Sequence, residues 1–131
     1  RNILFAYLLP AEASPIVSSM PATAEPSPMS LSAIYNFGFL KPFVIDVLPE
    51  DMNVFTVNFF SDVTKVLTTP EAYGLTNVTD ACITPYVRKG AFCKDRDEYF
   101  WWDQLHPTKE AHALLAEFAL ACLTEPSVLC Q

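Results

Sequence analysis

Two short runs stand out in the pattern of apolar and polar positions. "NILFAYLL" (Asn2 to Leu9) is continuously hydrophobic after its first residue, the mark of a strand buried on both faces, as in a parallel sheet. "NVFTVNFF" (Asn53 to Phe60) reads as a second strand. Between them, "PAEASPIVSSMPATAEPSP" (Pro10 to Pro28) is dominated by Pro, Ala and Ser and predicts a long extended loop. Ser30 can cap a helix through "LSAIYNFGFLKPFVIDVL", with Leu31, Ile34, Leu40 and Val44 roughly on one side. Pro42 should kink or end that helix.

After the second strand, Ser61 and Asp62 open a short helix, "DVTKVL". Pro70 to Ala81 reads as loop, Cys82 to Cys93 as an excursion carrying Arg88 and Lys89, and "EYFWW" (Glu98 to Trp102) as extended chain. Pro107 begins a last helix, since proline is favoured at the first helical position. Ala111, Leu114, Leu115, Phe118 and Cys122 form its apolar stripe, with Lys109, Glu110 and Glu117 outside. Strand, helix, strand, helix in this order predicts an α/β fold with parallel strands.

Composition adds limits. With 131 residues, 51% of them hydrophobic, the chain has one core and the size of one domain or a large part of one. A formal net charge of −7 and a pI near 4.6 exclude nucleic-acid binding and disfavour anionic lipid surfaces. The initial apolar run falls far short of the ~20 residues of a spanning helix and lacks a signal-peptide cleavage pattern. A core strand directly behind Arg1 leads us to expect polypeptide upstream of it. Cys82, Cys93, Cys122 and Cys130 all lie in the last third. Their short separations suggest two local bridges, Cys82–Cys93 and Cys122–Cys130, in an oxidising compartment. No C-x-x-C pair is present to favour zinc. Asn77-Val78-Thr79 is a glycosylation sequon or a plain turn.

The chemistry is concentrated in "YFWWDQLHPT", from Tyr99 to Thr108. If Pro107 is the first helical residue, His106 is held at the cap position and Asp103 can reach back to its imidazole. A carboxylate that accepts Nδ1–H sets the tautomer and leaves Nε2 free to take a proton, as a general base requires. Tyr99 to Trp102 would alternate between a packed floor and a rim. An ordinary turn contact between Asp103 and His106 is the plain alternative. His112 could extend the pair toward a metal set, but its place on the polar side of the last helix predicts a solvent-facing residue.

This segment resembles the last conserved block of the GDSL, or SGNH, lipases and esterases, an aromatic-Trp-Asp-x-x-His-Pro-Thr pattern followed by a helix. "PEAYGLTNVTDAC" (Pro70 to Cys82) is similar to the approach to a disulfide loop in the secreted bacterial branch, while "RNILFAYLLP" and "VFTVNFFSDVTKVLTTP" look like the family's later strands. The resemblance implies that residues 1–131 are the C-terminal part of one three-layer α/β/α domain. It implies Asp103 as the acid and His106 as the base of a Ser–His–Asp triad. It further implies a secreted or periplasmic carboxylic-ester hydrolase acting on lipid or small esters, of phospholipase A or lysophospholipase kind. Transient contact with a membrane surface goes with such substrates, and no metal or organic cofactor is implied.

The family's nucleophilic serine and oxyanion donors have no counterpart here. None of Gly38, Gly74 and Gly90 neighbours a serine, and the serines sit in contexts such as "EASPIVSSM" and "FFSDV". A nucleophile needs a sharp turn and backbone donors for the oxyanion. The favoured expectation is that the serine-bearing N-terminal part of the same hydrolase is supplied on another polypeptide. The other readings are a non-catalytic secreted binding or regulatory module that keeps the fold, and an unrelated small secreted protein.

Overall fold

The computed structural model describes residues 1–21, 28–49, 51–83 and 92–124. Strand β1 (Asn2–Ala6) pairs in parallel with β2 (Asn53–Val57), in the register Asn2 to Asn53 through Ala6 to Val57. A second parallel pair joins β3 (Asn77–Ala81) to β4 (Tyr99–Trp101). The α/β class and its parallel strands are therefore as the element order predicts. Segment Pro70 to Ala81 is not all loop, however. After a single turn of 3₁₀ helix at Pro70–Tyr73, ended by Gly74 at φ +75°, it forms β3. The strand was hidden because Asn77, Thr79 and Asp80 have low apolar content; β4 supplies its pairing from 22 positions away.

Both apolar runs yield strands shorter than expected. β1 stops at Ala6 because the Asn36 side chain takes the backbone of Leu8: its Oδ1 accepts from Leu8 N and its Nδ2 donates to Leu8 O, both at 2.8 Å. Nor is β1 buried on both faces: Leu4 is 45% exposed. β2 ends at Val57, and helix α4 (Phe59–Thr68) begins earlier than Ser61. Asn58 is its cap, accepting from Ser61 N at 3.0 Å, a role asparagine fills as well as serine.

The Pro10–Pro28 loop holds a 3₁₀ turn at Ala11–Ala13 and a one-turn helix α1 (Pro15–Ser18). The predicted helix around Pro42 is continuous in a particular way. Helix α2 (Pro28–Ala33) runs into a π-helical stretch at Ile34–Leu40 and then α3 (Lys41–Val47), with Pro42 in the first turn of α3. A proline inside an α-helix clashes with the carbonyl four residues before it. Widening the turns, with Lys41 N–H donating to Asn36 O, avoids that clash.

The core gathers Val63 and Val66 from α4, Leu75 from the stretch between Gly74 and β3, Phe100 and Trp101 from β4, and Ala111 from helix α5 (Lys109–Thr124). Leu114, Leu115 and Phe118 pack against it and Cys122 is buried, so the stripe on α5 is as expected. Among the described residues no helix is long and apolar enough to cross a membrane. The Cys82–Cys93 disulfide is formed. The expected Cys122–Cys130 bridge involves Cys130, which lies outside the described residues, as do Arg88 and Lys89.

Candidate active site

Asp103 and His106 lie in a tight turn between β4 and α5. Trp102 N donates to His106 O at 2.7 Å, and Thr108 N to Phe100 O at 2.8 Å. Trp101 and Pro107 form an antiparallel bridge between these bonds. Pro107 is therefore extended chain, not the first helical residue, and α5 begins at Lys109. Its cap is Thr108, whose Oγ1 accepts from Ala111 N at 3.1 Å and donates to Tyr99 O at 2.6 Å. His106 thus does not cap the helix. The signal for Thr108 was available, since threonine is a favoured cap residue directly before a periodic apolar stretch.

Within the turn, Asp103 Oδ1 accepts from both Leu105 N and His106 N at 2.8 Å. The His106 ring turns its Nδ1 onto the same carboxylate, 2.9 Å from Oδ1 and 2.8 Å from Oδ2. Burial pushes the Asp103 carboxyl upward, but the hydrogen bonds from Leu105 and His106 and the neighbouring imidazole outweigh it and hold it below its ordinary value. Nδ1 is thereby committed to the carboxylate. Nε2 is left on a side chain that is 73% exposed. A base so arranged can take a proton from a group brought against it, and the carboxylate stabilises the charge it gains.

The aromatics form the predicted floor and rim, though not in alternation. Phe100 and Trp101 are consecutive and both fully buried, their rings edge to face at 4.9 Å, with Trp101 Nε1 donating to Val78 O at 2.9 Å. β4 lies inside the core on both faces, so period-two exposure does not apply. Tyr99 and Trp102 are half-buried at the rim. A polar cleft of about 390 Å³ adjoins the turn at Gln104 and is lined also by Ser18, Ser19, Thr79 and Asp80. Ile16 N donates to Gln104 O at 3.1 Å, so α1 is tied to the turn itself. Sequence reasoning missed this: a Pro/Ser-rich stretch carries no signal for a distant loop. The hydroxyls of Ser14, Ser18 and Ser19 donate to carbonyls of their own turns, and among the described residues no serine is bonded to His106. His112 is exposed on α5.

No protein-family model matches the chain. It is 33% identical over 66 residues to the "GDSL esterase/lipase At1g74460" of Arabidopsis thaliana, covering 44% of this chain and 18% of that protein. It is 31% identical over 85 residues to "GDSL esterase/lipase At4g26790", covering 56% and 24%. With "GDSL esterase/lipase At1g71250" it shares 33% identity over 70 residues, covering 47% and 19%. The chain is similar to GDSL esterases/lipases. The match spans about a fifth to a quarter of the length of these plant relatives.

Proposed function

We propose that this GDSL-like chain contributes the Asp–His half of a Ser–His–Asp triad to a carboxylic-ester hydrolase acting on lipid esters, of phospholipase A or lysophospholipase kind. The observation that carries the reading is the Asp103 carboxylate seated on His106 Nδ1 with the far side of the ring exposed. In the reaction a serine attacks the ester carbonyl while His106 Nε2 takes its proton. His106 then returns the proton to the leaving alcohol, and Asp103 holds the imidazolium. Water completes the cycle by the same path.

The serine belongs, in this reading, to the N-terminal part of the same domain on another polypeptide. Residues 1–131 form the C-terminal part. The exposed apolar surface supports this: Leu4 on β1, and Leu31, Ile34, Phe39 and Phe43 along α2, the π stretch and α3, all lie more than 40% open to water. A helix apolar on all sides is ordinarily covered. The Cys82–Cys93 disulfide favours secretion, as does the resemblance of Pro70 to Cys82 to the secreted lipolytic branch. With a charge of −7, transient contact would be with neutral or zwitterionic lipid surfaces in preference to anionic ones.

The test is hydrolysis of acyl esters and a lysophospholipid by the assembled protein. Turnover is expected, and His106→Ala should remove several orders of magnitude of it with little loss of stability. Undiminished turnover by that variant would end the triad assignment. A protein that binds lipid without hydrolysing any ester would make this a non-catalytic module.

A further inference from the structure

The C-terminal root of the Asp103–His106 turn is anchored by Thr108, which is 3% exposed and bonded to Phe100, Tyr99 and Ala111. Its N-terminal root is Trp102, and core packing does not hold that side chain. On one side Trp102 borders a small pocket with Arg96, Asp97, Thr108, Lys109 and Glu110; on another it meets the two ends of the disulfide-closed excursion. Ile83 N donates to Trp102 O at 2.8 Å, next to Cys82 N donating to Trp101 O at 2.9 Å. The Phe92 ring stacks on Trp102 with centroids 5.9 Å apart and planes inclined by 28°. Phe92 is in turn placed by the Cys82–Cys93 disulfide, by Cys93 N donating to Cys82 O, and by its antiparallel bridge to Ile83. The Arg96 guanidinium lies 4.7 Å from its centroid.

An aromatic ring left 48% exposed is not positioned by burial. The staple and the stack position it. We infer that Phe92 is a positioning residue for the Asp103–His106 pair, clamping Trp102 so that the turn presents one carboxylate geometry to His106 Nδ1; as a role in catalysis this rests on the acid–base reading above. Asp103 follows Trp102 directly, and Trp102 N also holds His106 O. A small rotation at Trp102 therefore shifts carboxylate and imidazole relative to each other, and hydrogen bonds weaken steeply as their angle closes. Such misplacement costs rate without removing any catalytic group.

The experiment uses the whole chain labelled with ¹⁵N-histidine, with ring-nitrogen NMR reading the two neutral tautomers of His106. The native chain should show Nδ1–H almost alone, and Asp103→Asn marks its loss. Phe92→Ala should lower the Nδ1–H to Nε2–H ratio severalfold, with His112 unchanged as the internal standard. Phe92→Tyr, which keeps the ring, should retain the native ratio. A native ratio in Phe92→Ala overturns the inference, as does a Phe92→Tyr variant that behaves like Phe92→Ala. Should Phe92→Ala fail to fold, Phe92→Leu decides in its place, since it keeps the bulk but not the flat ring. In the assembled protein Phe92→Ala should lower kcat and leave KM unchanged. Absence of any ester turnover there, with the tautomer shift intact, would sink the hydrolase reading and leave the clamp standing.

Discussion

At the scale of single residues, Asp103 carries two duties. It caps its own turn through Leu105 N and His106 N, and it orients the imidazole. Asp103→Asn keeps most of the shape but can present an amide N–H to Nδ1, which favours the wrong tautomer. On the proposed triad reading, turnover by the assembled hydrolase should fall on the order of 10⁴-fold, the scale seen when a triad carboxylate becomes an amide. The same group ties stability to acid. Its carboxyl titrates lower folded than unfolded, so its contribution is complete above the ordinary carboxylate range near ~3.9 and is lost as pH falls through its lower folded value. Acid unfolding of the Asp103→Asn variant should lack that portion of the pH dependence, measured by denaturant titration between neutral pH and about pH 2. Asn36 is another residue with a double duty. Fully buried, it serves both backbone groups of Leu8. Asn36→Ala strands that donor and acceptor and should cost about 1–3 kcal/mol by urea unfolding.

At the scale of elements, boundaries are decided by whichever side chain reaches the backbone first. β1 ends where Asn36 arrives, α4 starts where Asn58 caps it, and α5 starts at Lys109, behind its cap Thr108, and not at Pro107. Thr108→Ala removes both the cap and the tie to Tyr99. It should destabilise by about 1–2 kcal/mol in chemical denaturation. Because Thr108 also anchors the turn, the variant should broaden the His106 resonances; sharp, native signals would show that the turn holds without it. What was legible at this scale was the type of β1, β2, β4, α4 and α5, through periodicity and Pro and Cys punctuation; β3 and α1 lie in stretches that read as loop. The π-helical detour before Pro42 was not, since the pattern announces a steric conflict without saying how the backbone resolves it.

For the whole molecule, two features matter: a closed disulfide at the back of the turn and an open apolar surface. Cys82→Ser with Cys93→Ser frees an 11-residue separation, worth about 3 kcal/mol in the chain-entropy model. The midpoint of denaturation should fall accordingly, and unchanged stability would mean that Phe92 and Ile83 are held by packing alone. The surface from Leu4 to Phe43 should bind a hydrophobic dye in the isolated chain and, on the proposed pairing with a serine-bearing part, lose that binding when the part is added.

The sequence by itself determined the parallel α/β class, the apolar stripe of α5, the Cys82–Cys93 pairing and the identity of the Asp–His pair. The first two follow from local periodicity, the disulfide from the short separation of two cysteines, and the Asp103–His106 contact from a three-residue spacing, whereas the triad role given to that pair rests on the family resemblance. Only the tertiary structure decided that β3 exists, that α1 is bonded to the turn through Ile16 and Gln104, and that Phe92 lies on Trp102. These contacts join distant segments whose own patterns are weak. They arise because the core brings β4 between neighbours that satisfy its backbone and cover its rings.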